Sequence, residues 1–244
     1  MYEILILIIT GYSGGSYQSS CHSLVGGVWT SQPRMQKKIY AAAASMTDDG
    51  LLVTGGWDGS YHSSTEYFSS GQWVSGPALP VTMYNHCQVT VGTVVIVTGS
   101  GIVTVQIVLV IIIFIGGYTS SKLASVYKLQ AGVWTRLPDM ARARYAHSCE
   151  VVGGHLFVMG GDGAGAVEMM NISTQKWQPG PELAKSFSSG QAVVYRSTLF
   201  LVSREGKVVK LTDAAKWEDV ANIGPIGTRP VFPAQVVTAG VLGC

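Results

Sequence analysis

Apolar residues recur along this chain in short runs closed by glycine: LIITG at 7–11, LLVTGG at 51–56, VIVTGS at 95–100, LFVMGG at 156–161 and the worn LFLVSR at 199–204. Runs this short, continuous and bounded by turn residues read as strands covered on both faces rather than as helices. Each is preceded by another short apolar run that opens at Tyr40, Tyr84, Tyr145 or Phe187. Between the two lies a two-residue turn, Asp48-Asp49, Gly92-Thr93, Gly153-Gly154 or Arg196-Ser197, the chemistry of a tight hairpin. A polar loop follows, then a third strand carrying Glu66, Val126 or Glu168. A tryptophan strand that closes on Pro33, Pro77, Pro138 or Pro179 completes the unit.

The pattern has a period. Tryptophans stand at 29, 73, 134, 177 and 217, with intervals of 44, 61, 43 and 40, while Gly11, Gly55, Gly99 and Gly160 are 44, 44 and 61 apart. Both series carry the same excess of 17 residues. Removing Ser100 through Gly116 joins VIVTG to GYTSS, and the product matches LLVTGGWDGS at 51–60. Units of about 44 residues with four short strands each are blades of a β-propeller, since no blade can bury its own faces alone.

The paired glycines Gly55-Gly56 and Gly160-Gly161, the upstream Tyr145 and His147, and a tryptophan about 17 residues after the glycines resemble the kelch repeat. The resemblance runs from about residue 5 to 240 apart from the insert, and departs in the last unit, where LFLVSREG has lost both glycines. The expected fold is therefore all-β, a kelch-type propeller of about five four-stranded blades, or an incomplete ring of six. The whole chain, 1–244, reads as one domain, with units at about 1–33, 34–80, 81–140 with the insert 100–116, 141–182 and 183–226. The first unit lacks its opening strand. A closing strand at 228–244 is expected to supply it, because AQVV at 234–237 parallels QAVV at 191–194.

The insert is the one stretch that suggests a membrane. Residues 102–115 read IVTVQIVLVIIIFI, fourteen residues without a charge, but a span needs about 20 apolar residues. The run also has no basic flank, so no membrane span is expected. The reading favoured here is an extension of the second and third strands as a hairpin, or an irregular layer against the ring. Because its excision restores the period, a translated intervening sequence is a second reading.

Charge and cysteine content narrow the function. Only 12% of residues are charged and the net charge is +2, too little for the field that drives nonspecific nucleic-acid binding. The four cysteines, Cys21, Cys87, Cys149 and Cys244, form no C-x-x-C pair, and the acidic Glu3 makes the N-terminus a poor signal peptide. Reduced thiols and a cytoplasmic setting are expected; in a secreted chain Asn171 of Asn-Ile-Ser would accept a glycan.

No catalytic residues, metal or cofactor are expected. Hydrolase, Walker and dinucleotide motifs are missing. The neighbours His86 and Cys87, like Cys21 and His22, would point to opposite faces of a strand and could not share an ion as in a copper oxidase propeller. His86 and His147, each thirteen residues before its glycine, read as structural, as do Trp29, Trp73, Trp134, Trp177 and Trp217, expected to pack between blades.

What remains is recognition. The loops after the glycine pairs and those leading into the next unit fall on one side of a propeller and carry nine basic residues against three acids. Arg34, Lys37, Lys38, Arg142, Arg144 and Lys185, beside the aromatics Trp57, Tyr61 and Tyr118, have the composition of a protein-recognition surface for an acidic segment. Arg142 and Arg144 are expected to project together and clamp carboxylates. By the resemblance, the chain is expected to work as a non-catalytic interaction module akin to the substrate-recognition domain of kelch-like ubiquitin-ligase adaptors. The alternatives are a carbohydrate-active propeller enzyme of oxidase or epimerase type and a truncated, non-functional product.

Overall fold

A computed structural model describes residues 6–9, 11–47, 49–99, 102–161, 165–184, 187, 190–203 and 205–224. The first sheet contains β1 (Ile6–Ile9), β4 (Cys21–Val25) and β5 (Val28–Gln32), with the small hairpin β2 (Tyr12–Ser13) and β3 (Ser16–Tyr17) in its loop. Four sheets of four antiparallel strands follow in simple meander order. They are β6 (Ala43–Thr47), β7 (Gly50–Thr54), β8 (Thr65–Ser69) and β9 (Gln72–Ser75); then β10 (Cys87–Gly99), β11 (Ile102–Ile115), β12 (Val126–Gln130) and β13 (Val133–Leu137). The last two are β14 (His147–Val152), β15 (His155–Gly160), β16 (Val167–Asn171) and β17 (Lys176–Pro179), and β18 (Gln191–Tyr195), β19 (Thr198–Val202), β20 (Lys207–Leu211) and β21 (Trp217–Asn222). The expected all-β propeller with about five blades is what forms. The expected closing strand at 228–244 lies outside the described residues. Among the described residues no helix is long and apolar enough to cross a membrane.

The continuous apolar runs follow from how the second strand of each blade is used. Side chains alternate across a strand, and in these sheets each face meets a different neighbouring blade. Leu51 and Val53 of β7 pack with Cys21 of the first blade and with Met35 and Ile39 of the segment that leads from it, while Leu52 packs with Met83, Ile112 and Phe114 toward the third. Ile113 and Ile115 of β11 join Cys149, Leu156 and Val158, and Phe157 and Met159 of β15 join Phe187, Leu199 and Leu201. The core is therefore a series of seams between blades, not a single centre.

The structure places the 17 extra residues differently from the sequence reading. β10 and β11 pair without interruption from Cys87↔Ile115 to Gly99↔Ile102, with a bulge after Thr93. Only Ile112–Ile115 of β11 continue the sheet to β12. The first and second strands are extended, not the second and third, and the glycine pair of this blade is Gly116-Gly117 rather than Gly99 with an interrupted partner. Gly116 and Gly117 have φ of 57° and 105°, matching 62° and 107° at Gly55 and Gly56. The period misled because VVIVTG and IIIFIG are alike, so removing either stretch restores the register. The same pairing shows that Tyr127, opposite Phe114, holds the place of Glu66 opposite Val53 and Glu168 opposite Val158; Val126 does not.

Candidate functional site

Each glycine pair turns the chain out of its strand and back beneath the segment entering the blade. Gly56 donates to the Met83 carbonyl of the next blade's entering segment, and Gly117 donates equivalently to Arg144. A Cβ on Gly56 would come within 3.2 Å of the Tyr40 carbonyl, so glycine permits the approach. The following residue is thereby locked against an entering tyrosine. Trp57 and Tyr40 exchange two backbone hydrogen bonds of 2.9 Å, and Tyr118 and Tyr84 exchange two of 3.0 and 3.2 Å.

Repetition of this arrangement gathers aromatic rings from successive blades. Trp57 contacts Tyr61 at 4.7 Å and Tyr84 at 5.8 Å; Tyr84 contacts Tyr118 at 5.8 Å, and Tyr118 contacts Tyr145 at 5.5 Å between ring centres. All five are half-buried. Burial raises the Tyr84 phenol above the usual tyrosine value, and the phenols of Tyr61, Tyr118, Tyr145 and Tyr40 around it add to the shift. The expected partner-facing residues Trp57, Tyr61 and Tyr118 thus come together. The structure adds Tyr84 and Tyr145, which the repeat pattern had marked only as openers of strands.

The basic residues divide into two groups. The side chains of Arg34, Lys38 and Arg142 are exposed. Lys37 lies between, its Nζ 3.4 Å from His62 Nδ1. Arg144 corrects the expectation that it projects with Arg142. It is 3% exposed, forms a 2.6 Å ion pair with Glu168, and donates to the carbonyls of Gly160 and Ala166. Strand alternation does not hold there, because residues 141 and 142 form a bend and β14 begins only at His147. Lys185 lies outside the described residues.

Four acids on the same face are engaged internally, while Glu182 is exposed. Glu66 accepts the backbone N–H groups of Gln36 and Lys37, and Glu168 those of Ala141 and Arg142. Each carboxylate pins the loop that enters its blade. In the third blade, Tyr127 replaces the glutamate and Pro80, which has no N–H to offer, stands where Gln36 and Ala141 stand. Asp139 pairs with Arg136 at 2.8 Å, and Asp58 lies 2.8 Å from His62 Nε2. Partial burial works to raise the Asp58 carboxyl, but the hydrogen bond and charge of His62, with Ser60 N–H and Lys37, hold it below the usual aspartate value.

His86 and His147 occupy the seams. Each ring packs on the first glycine of the preceding blade's pair, where a Cβ on Gly55 or Gly116 would lie 2.8 Å from the imidazole Cε1. Burial pushes both imidazoles down to about 3, so they are neutral. Three tryptophans latch blades: Trp73, Trp177 and Trp217 donate their indole N–H to the carbonyls of Pro33, Pro138 and Pro181 in the blade before. Trp134 packs on Phe114 at 4.7 Å without that bond, and the Pro77 carbonyl accepts the Thr65 hydroxyl. Trp29 departs from the expectation: it is 51% exposed, with no such bond among the described residues.

The cysteines also depart from the sequence reading. Cys87 and Cys149, on the adjacent inner strands β10 and β14, form a buried disulfide with Cα atoms 5.9 Å apart. Cys21 is a buried free thiol, pushed up to about 11 by desolvation. Among the described residues no group of three His, Cys, Asp or Glu side chains could hold a metal ion.

Comparison with known proteins agrees with this geometry. The Kelch motif matches residues 143–184, which run from the segment entering β14 through the whole fourth blade. A putative F-box/kelch-repeat protein of Arabidopsis thaliana is 32% identical over 81 residues, covering 30% of this chain and 21% of that protein. The match thus spans about a fifth of the length of the curated relative.

Proposed function

This chain is a kelch-repeat β-propeller, and on that premise we propose that it is a non-catalytic protein-interaction module whose loop face takes an acidic segment of its partner. One observation carries the reading: on that face Glu66, Glu168, Asp58 and Asp139 are occupied by the protein's own donors, while Arg34, Lys38 and Arg142 are not. A nearly neutral chain thereby offers a positive rim beside aromatic rings, the combination that dominates binding energy at protein interfaces. Propellers of this kind serve commonly as interaction modules, and a relative named for F-box and kelch repeats supports an adaptor role in ubiquitin transfer. In that role the module would select the substrate and other parts of the assembly would act on it.

The test is binding of a fluorescent polyglutamate peptide to the whole chain as salt is raised. Affinity should fall steeply between about 50 and 300 mM salt, and fall again when Lys38 and Arg142 are both replaced by alanine. Affinity indifferent to salt and to both substitutions would refute the proposal.

A further inference from the structure

We infer that two copies of this chain associate through the projecting part of β10, which pairs antiparallel with its own copy about a two-fold axis near Ile96 and joins the two hairpins into one four-stranded sheet. Support within the blade runs out early, since β12 meets β11 only as far as Ile112, opposite Leu129. The neighbouring inner strands stop at the same level. The Thr90 hydroxyl bonds to the Met46 carbonyl one residue before β6 ends at Thr47, and Cys87 is tied to Cys149 three residues before β14 ends at Val152. From Gly92 to Gly99, β10 is therefore paired on one side, by β11, and among the described residues no strand pairs with its other edge.

Such an edge carries outward-facing N–H and C=O groups, and another extended backbone satisfies them in register. Two observations make that backbone a second β10. The edges of the hairpin differ: Thr93 and Val94 stand opposite Leu109 and Ile107, so Val108 is an extra residue on β11. A bulge interrupts the ladder and bends the strand that carries it, which guards that edge, whereas β10 meets its partners with consecutive residues throughout. The second observation is the sequence of the open edge. Residues 93–98 read TVVIVT, β-branched without a break, and from Gly92 to Ile115 there is neither a charged residue nor a proline to block pairing.

Two-fold pairing sets the residues at the axis against their own copies, so a charge there would face itself. This run has none, and facing β-branched residues stabilise a sheet. Lipid is a poorer occupant, because a lone hairpin in hydrocarbon would keep both edges unsatisfied. The overlapped strands, at about 3.3 Å per residue, hold the two propellers apart and leave the loop face of each copy free, which makes the dimer bivalent toward a partner.

Sedimentation velocity of the whole chain between about 1 and 100 µM reads the association. The wild type should pass from monomer to dimer over that range. Ile96→Lys and Ile96→Glu each set like charges at the axis and should weaken association at least about tenfold. Mixed in equal amounts the two variants should dimerise again, because opposite charges then face each other. Deletion of residues 94–110 leaves Val91 and Ile111, already partners, joined by a Gly92-Thr93 turn, and should give a monomer whose blades still melt cooperatively. A monomeric wild type, association unchanged by either charge or by the deletion, a mixture that stays monomeric, or assembly beyond the dimer would each overturn the inference.

Discussion

The Cys87–Cys149 disulfide sets a measurable share of the stability. It ties the innermost strands of the third and fourth blades and closes a loop of 62 residues. Constraining a loop of that length lowers the entropy of the unfolded chain by roughly 14 cal/mol/K, or about 4 kcal/mol at 25 °C. For a chain of this size that is a fall in Tm of about 8 °C. The perturbation is the double variant Cys87→Ala and Cys149→Ala, compared with the wild type before and after reduction. Calorimetry with urea titration reads the loss, and mass spectrometry of protein alkylated without reductant reads the bond. Replacement also removes sulfur atoms from a packed seam, so the variant should melt slightly below the reduced wild type. Alkylation of both thiols in freshly purified native protein, or a reduction-induced shift under about 2 °C, would refute the reasoning.

The other predictions concern buried charge and the latches. Arg144→Met should cost about 3–5 kcal/mol by leaving Glu168 without its cation, whereas Lys38→Ala should leave the melt unchanged and alter only ligand binding. His86 and His147 are held near 3 against an ordinary 6.5, so the unfolded chain binds more protons over that interval. Stability should accordingly be retained above pH 6.5 and fall by about 1.4 kcal/mol per pH unit for each histidine as pH drops toward 3, as read by urea titrations across pH. Glu150 acts in the opposite sense. Burial raises its carboxyl to about 7, and the stability it contributes when protonated is lost as pH rises from about 4.5 through 7, so Glu150→Gln should flatten that part of the profile. Trp73→Phe should destabilise by about 1–3 kcal/mol through the unpaired Pro33 carbonyl, seen in the same denaturation series.

The blades were legible because a repeat writes the same packing problem several times. Leu51, Leu52 and Val53 must satisfy two seams at once, and that demand leaves a continuous apolar run wherever it recurs. The position of the extra residues was not legible, since it depended on which of two similar runs paired with β12. Arg144 was misread for a related reason: a period in sequence gives no sign of whether a charge faces solvent or a carboxylate from a distant strand. Glu168 held the signal, as an acid recurring with Glu66 on a strand otherwise committed to the core. The disulfide left no spacing motif because its cysteines belong to different blades. The row of aromatic rings was half visible, with Trp57 and Tyr118 marked by their place after glycines, and Tyr84 and Tyr145 hidden by their second duty as openers of strands.

The lengthened hairpin of β10 and β11 grows from the turn between the first and second strands, at the opposite end of the sheet from the glycine-pair loops. Up-and-down connectivity thus gives the molecule two independent borders: additions at one are spatially insulated from whatever docks at the other. That border is the natural place to graft a tag, a reporter or a tether away from the glycine-pair loops.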